Sequence, residues 1–444
     1  MTAKIHDAAA AVLLHEGQVL LVQRHAHLSA FPGYWAFPGG KVDAADRIDG
    51  EDLALARQRA MAREVHEEIG VDLPTMLADH LVADMAEIGA ATTPSVATHR
   101  FATHFFRVDL RIRPELVLEP GEIADAQWRT PEEWVTAWRE GRLLCAPPTV
   151  AILQALTADP TAQSAPDLTR DFEPADRIAY VEPVGGLRIL PVRSHTIPPA
   201  QHTNCVYIVG SGLLIDPSPA SDAELQRLET AIADWPLDAI FLTHHHPDHC
   251  ERANMLARAH DVPLRCSADT RARITAREGK QWFDGVTVEC VADGDRIATW
   301  QGEAVHAIAV PGHDAGQLAP TAASRAWSLV SDLIQGVGTV VVGGDEGDMA
   351  QYFASLERII ALDPMVIVPS HGMAMGGTWK LQATLAHREM REQQVARLFD
   401  AGESVERIVE HIYGDSTPPF LIPLARVNVE SHLHKLRQEG RIAA

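Results

Sequence analysis

What most constrains this chain is a recurrence. Four short apolar runs each end in a turn that carries histidine or aspartate. Ala239-Ile240-Phe241-Leu242 leads into Thr243-His244-His245-His246-Pro247-Asp248-His249, and Val305 to Val310 leads into Pro311-Gly312-His313-Asp314. Trp327 to Val330 leads into Ser331-Asp332-Leu333, and Met365 to Val368 into Pro369-Ser370-His371-Gly372. Apolar runs of this length between turn signals read as buried strands. A strand that stops at a ligand-bearing turn leaves those ligands on the following loop, where a metal stays open to substrate. Imidazole nitrogens with one carboxylate suit zinc, or less selectively manganese or iron. The middle of the chain therefore reads as a sheet-rich α/β layer structure with a metal site at its strand ends.

Its length of 444 residues suggests about three domains at roughly 150 residues each. The expected division is a first domain over 1–158, a small, polar, proline-punctuated linker over 159–177, a second domain over 178–380 and a helical third domain over 381–444. Further strands of the second domain are expected at Cys205 to Val209, Leu213 to Ile215 and Thr339 to Val342. In the third, helices are expected over His387 to Phe399, from Ser404 onward, and over Val427 to Gln438 with Val429, Leu433 and Leu436 inward. The net charge of -22 argues against broad duplex binding, although a local basic groove remains open. The five cysteines form no CxxC and no even-numbered framework, so reduced thiols and a cytoplasmic location are expected. The stretch from Met1 to Asp7 has no apolar core of a signal peptide, and no apolar run reaches spanning length, so no membrane partner is expected.

The first domain opens with a hairpin, Ala9 to Leu14 and Gln18 to Gln23, joined at Glu16-Gly17. A glycine loop follows, Trp35-Ala36-Phe37-Pro38-Gly39-Gly40-Lys41-Val42-Asp43, and then Arg63-Glu64-Val65-His66-Glu67-Glu68-Ile69-Gly70-Val71. On a helix Glu64 lies i,i+3 from Glu67 and i,i+4 from Glu68, so three carboxylates share one face. Crowding like charges is unfavourable without a cation, and Mg²⁺ prefers oxygen ligands together with substrate phosphates. Gly70 is placed to end the helix. Trp35 and Tyr34 could stack on a base, but aromatic residues beside a loop are more often packing anchors. A last helix is expected from Pro131 to Gly141, started by Thr130.

The FPGG loop followed by REVHEEIGV resembles the Nudix hydrolases, and the phrase from Phe37 to Asp46 resembles their coenzyme-A-diphosphatase-like branch. This implies that Glu64, Glu67 and Glu68 bind Mg²⁺ or Mn²⁺ and act in catalysis, that Arg63 orients them, and that Gly39, Gly40 and Trp35 meet substrate. Asp46 stands where the family has glutamate, and the segment from Arg47 to Leu53 lengthens the spacing to Arg63. The series THHHPDH, PGHDAGQ, SDL and PSHG resembles the metallo-β-lactamase fold. That resemblance implies two zinc ions: His244, His246 and His313 on one, Asp248, His249 and His371 on the second, and Asp332 bridging, with Asp248 also catalytic. His245, between two ligands, points elsewhere if its neighbours point inward and is given no metal role; the resemblance gives Asp216 a supporting one, and serine stands at positions 331 and 370, where the family usually has glycine. Two metals roughly 3.5–4 Å apart can stabilise both the attacking and leaving oxygens of a displacement. The tail, from Ala386 through Val405–Tyr413 to Val429–Leu436, resembles the β-lactamase-like protein 2 branch, with its appended winged helix.

The expected architecture is thus multidomain α/β and α+β: a Nudix α/β/α sandwich, a metallo-β-lactamase αββα sandwich and a winged-helix-like helical domain. The expected function is a bifunctional hydrolase, cleaving a nucleoside diphosphate-linked or coenzyme A-type pyrophosphate at one site and a phosphoester or RNA at the other. Expected partners are a nucleotide or coenzyme A derivative, with single-stranded RNA as a further candidate. From residue 388 onward, eight Lys/Arg meet nine Asp/Glu, so the tail is not basic, which weighs against strong nucleic-acid binding. The alternative makes the Nudix domain a nucleotide sensor that regulates a metallo-β-lactamase-fold (thio)esterase.

Overall fold

A computed structural model describes residues 4–169, 174–414 and 417–443. The first three residues of the N-terminal stretch, residues 170–173 of the expected linker, and residues 415–416 and 444 of the expected third domain lie outside the described residues. The chain divides into two compact units, Met1–Arg188 and Ile189–Ala444.

The first unit is built around the strand Ile5–His15, which pairs antiparallel with Gln18–Arg24 across the turn at Glu16-Gly17 and parallel with Arg100–Leu110. Residues 8–14 are all buried, and the reason is visible in the packing of alternate positions. Ala9, Ala11 and Leu13 join Met61, Val65 and Ile69 of the helix Leu53–Ile69 in one apolar cluster. Ala10, Val12 and Leu14 join Trp134, Val135 and Ile152 of the helices Pro131–Arg139 and Pro147–Ala158 in another. A strand buried on both faces needs no polar alternation. The result is an α/β/α sandwich. Thr130 caps the helix Pro131–Arg139 in a reciprocal capping box with Glu133.

The second unit has two sheets. In one, Leu213–Ile215, Ala239–Phe241, Leu264–Cys266 and Val288–Cys290 run parallel, and His202–Ile208 joins antiparallel beside Leu213–Ile215. The other runs in the order Arg296–Trp300, Glu303–Ala309, Leu318–Ala322, Trp327–Ser331, Val366–Pro369 and Met375–Gly376. The helix Met349–Leu362 buries Tyr352, Leu356 and Ile359 against Val330 and Ile367 of the second sheet. These are the stacked sheets and outer helices of an αββα sandwich.

The expected strand at Thr339 to Val342 is absent: these residues make no ladder. Their main-chain groups are taken by side chains instead, Val340 O by Arg388, Val341 O by His313 and Val342 N by Asn428. The C-terminal helices are Trp379–Asp400, Val405–Tyr413 and Ile422–Gln438. They pack Val395, Ile408, Val429, Leu433 and Leu436 into a small core of their own. Among the described residues, no helix is long and apolar enough to cross a membrane.

Candidate metal centres

In the second unit, the four apolar runs end as the recurrence requires. The loops after Ala239–Phe241, Glu303–Ala309, Trp327–Ser331 and Val366–Pro369 bring seven side chains together. His244 Nε2 lies 2.9 Å from His246 Nδ1, which lies 3.1 Å from His313 Nε2. Asp248 Oδ2 lies 3.8 Å from His249 Nε2 and 3.5 Å from His371 Nε2. Asp332 faces both groups: Oδ1 is 3.7 Å from His249 Nε2 and 3.4 Å from His371 Nε2, while Oδ2 is 3.7 Å from His313 Nε2. Ligands at about 2.0–2.1 Å from a tetrahedral ion are separated by roughly 3.3 Å, which these spacings bracket.

Two buried atoms test the fit more sharply. His249 Nε2 and Asp332 Oδ1 have no hydrogen-bond partner although neither meets solvent. An unpartnered buried polar atom costs on the order of 1–3 kcal/mol, and a shared cation removes that cost for both. Burial, with the neighbouring His249, His246 and His313 imidazoles, drives the His244 pKa well below its ordinary value, leaving the ring neutral and able to ligate. Burial opposes ionisation of Asp332, but the His371 and His249 imidazoles prevail and hold its carboxyl well below the usual range.

The second nitrogen of each histidine is also placed. His249 Nδ1 bonds Asp216 Oδ2 at 2.8 Å, His371 Nδ1 bonds His202 O at 2.9 Å, and His313 Nδ1 bonds Val341 O at 2.7 Å. His244 Nδ1 lies 3.1 Å from Thr243 Oγ1, which itself donates to Asp216 Oδ2 at 2.6 Å. Such partners fix ring orientation and tautomer. Ser331 has φ 49°, which accounts for a preference for glycine there, and its hydroxyl donates to Thr243 Oγ1 at 2.9 Å. His245 stands apart, with Nδ1 2.5 Å from Asp314 Oδ2 and Nε2 3.0 Å from Glu346 Oε2. Burial disfavours its charge, but those two carboxylates outweigh burial and raise its pKa to about 9. Sequence reasoning missed Glu346. Its signal was the glycine-rich acidic turn from Gly343 to Asp348 after an apolar run, the same pattern that marks the other loops.

In the first unit, Glu64, Glu67 and Glu68 lie on the helix Leu53–Ile69, which ends at Gly70. Arg63 donates to Glu64 Oε1 at 3.0 Å, to Glu67 Oε2 at 2.8 Å and to both oxygens of Asp46 at 3.2 and 2.9 Å. The shorter Asp46 therefore reaches Arg63 despite the inserted segment. Gly39 N donates to Glu68 Oε2 at 3.0 Å. Gly39 adopts φ 151°, and a Cβ there would fall 2.3 Å from Ala9 O; a Cβ on Gly40 would fall 2.4 Å from the Glu64 carboxyl carbon. Glu68 is 3% exposed, and burial, only partly countered by the Gly39 amide and Arg24, raises its pKa to about 8. Burial also raises that of Glu64, against the pull of Arg63. A buried Glu68 and a half-buried Glu64, both reluctant to ionise beside a close-approach glycine, fit a site completed by a hard cation. Trp35 is 7% exposed and tilts against Trp134 with ring centroids 5.2 Å apart, so it serves as a packing anchor and offers no open face to a base.

These centres and sheets define metal-dependent hydrolase folds. Residues 198–371 match the family model of the metallo-beta-lactamase superfamily, residues 4–144 that of the NUDIX domain, and residues 404–444 that of the beta-lactamase associated winged helix domain. The second unit thus carries a metallo-β-lactamase-superfamily domain and the first a NUDIX domain. It is 28% identical over 257 residues to a beta-lactamase-like protein 2 homolog of Drosophila melanogaster, covering 54% of this chain and 84% of that one. It is 33% identical over 177 residues to a hydroxyacylglutathione hydrolase of Aeromonas hydrophila, covering 39% of this chain and 63% of that one. Over 129 residues it is 32% identical to a peroxisomal coenzyme A diphosphatase of Caenorhabditis elegans, covering 28% of this chain and 47% of that one.

Proposed function

We propose that this hydrolase carries two separate activities. The first unit cleaves a nucleoside diphosphate-linked or coenzyme A-type pyrophosphate with Mg²⁺ or Mn²⁺, and the second hydrolyses a phosphoester or RNA with two zinc ions. The observation that carries the second site is the buried, unpartnered pair His249 Nε2 and Asp332 Oδ1, 3.7 Å apart amid five other ligand-type side chains. His244, His246 and His313 hold one ion, Asp248, His249 and His371 hold the other, and Asp332 stands between. Bound there, zinc supplies Lewis acidity and an activated water at neutral pH. Asp248 presents its carboxylate beside His371 and His249. In the first unit, Glu64, Glu67 and Glu68 hold the cation, Arg63 keeps Glu64 and Glu67 in place, and the Gly39-Gly40 backbone leaves room for the phosphates. The diphosphatase relative supports a coenzyme A or nucleotide substrate, and the free thiols suit a reducing cytoplasm.

A second reading, in which the zinc site cleaves a thioester and the Nudix unit senses a nucleotide, is favoured by the likeness to hydroxyacylglutathione hydrolases. Assays of His246→Ala and Glu68→Ala against coenzyme A, ADP-ribose, single-stranded RNA and an acyl-glutathione thioester separate the readings. Each substitution should abolish one activity and spare the other. A variant that retains the activity assigned to its unit sinks that assignment. Thiol release from the thioester, lost in His246→Ala, would select the second reading.

A further inference from the structure

The loop from Thr339 to Asp348 does more for the zinc site than its sequence suggests. Val341 O accepts from His313 Nδ1 at 2.7 Å. Asp348 N donates to the carbonyl of Gly312, the residue before His313, at 2.8 Å. Glu346 then turns its carboxylate to the adjacent ligand: Oε1 lies 2.8 Å from His246 Nε2. The other oxygen is 3.0 Å from His245 Nε2 and 3.3 Å from Arg273 Nη1. One loop thus partners two of the three histidines in the cluster of His244, His246 and His313.

The chemistry of His246 makes this contact decisive. It faces His244 and His313 through Nδ1, at 2.9 and 3.1 Å. A ring that ligates through Nδ1 must carry its proton on Nε2, and a carboxylate accepting that proton fixes both tautomer and ring plane. The loop cannot hold itself by a sheet ladder. It is held by the C-terminal helices: Arg388 donates to Val340 O, Val342 N donates to Asn428 Oδ1 at 2.9 Å, and Arg388 Nη1 donates to the same oxygen at 3.2 Å. Gly343 packs so closely on that side that a Cβ would fall 2.8 Å from Val427 Cγ1.

We infer that Glu346 is the positioning residue for the His246 ligand, and that the C-terminal helices set the loop carrying it through Arg388 and Asn428. This rests on the two-metal reading above. The C-terminal helices then help to determine metal retention at the three-histidine group, whatever part they play in substrate binding.

The test uses full-length protein, zinc titration against a competing chelator, and the absorption spectrum of the cobalt-loaded form. Glu346→Ala should weaken the affected zinc about 10- to 100-fold and alter the cobalt spectrum, and both effects should exceed those of Arg273→Ala, which removes a neighbouring contact of the same carboxylate but leaves Glu346 on His246. Glu346→Gln retains an oxygen acceptor for His246 and should recover part of the loss. Asn428→Ala should weaken zinc in the same direction, by less. Wild-type affinity in Glu346→Ala overturns the inference. So does a loss that Glu346→Gln fails to reduce and that follows a lower unfolding midpoint of the metal-free protein. Wild-type affinity in Asn428→Ala overturns the role of the helices. If the wild type takes up no zinc, or His246→Ala binds it as tightly as the wild type, the metal reading itself fails.

Discussion

At the scale of single residues, Ser331 shows how a departure from a familiar pattern is accommodated. Its φ of 49° is a conformation that costs a side-chain-bearing residue about 1 kcal/mol, and its hydroxyl bond to Thr243, 2.9 Å long, offsets a similar amount. Ser331→Ala keeps the strain and loses the bond, so it should lower stability by about 1 kcal/mol in urea unfolding. Ser331→Gly loses both and should lie closer to the wild type; a glycine variant less stable than the alanine one would refute this balance. Gly40→Ala places a methyl against the Glu64 carboxylate, and it should reduce pyrophosphate cleavage at least tenfold while leaving the zinc-site activity intact. The apolar runs point to the loops that carry all seven candidate metal ligands, but His245 and Asp314 stand on the same loops, and only the family resemblance separates the seven from them. Glu346 escaped notice because its role depends on which histidine it meets, a contact across 100 positions of chain.

At the scale of elements, the C-terminal helices are joined by charge as well as by apolar packing. Glu392 of Trp379–Asp400 is buried and meets Lys435 Nζ at 2.9 Å, His432 Nδ1 at 3.4 Å and Arg441. Burial opposes its ionisation, but these partners prevail and lower its pKa to about 2. A carboxylate whose folded pKa is depressed contributes stability above its unfolded pKa, near 4.3, and that contribution is lost as pH falls through the folded value. The stability difference between wild type and Glu392→Gln should therefore be full at pH 6, shrink below about pH 4.5, and stop changing near pH 2. A difference that stays constant over that range would show that the charge is not what joins the helices. The apolar positions Val429, Leu433 and Leu436 were predictable from helical spacing and are buried. The missing strand at Thr339 to Val342 was not predictable, because its apolar residues are those of a strand while its hydrogen bonds go to side chains far along the chain.

At the scale of the whole molecule, two units carry two candidate cation sites of different hardness, all-carboxylate in one and mainly imidazole in the other. Removal of metal by a chelator should stop both activities. Mg²⁺ should then restore only pyrophosphate cleavage and zinc only the second activity, because Mg²⁺ takes oxygen ligands and imidazole favours zinc. Restoration of both by one metal would contradict the division. The sequence by itself pointed to two candidate cation sites and their ligand types, and through its motifs to the layered folds, since motifs and the residues at strand ends are local properties. Only the tertiary structure decided that Asp46 reaches Arg63, that Trp35 is a packing anchor, and that Glu346 and the C-terminal helices stand behind the three histidines. Those relations depend on distances between segments remote in sequence, which no local pattern encodes.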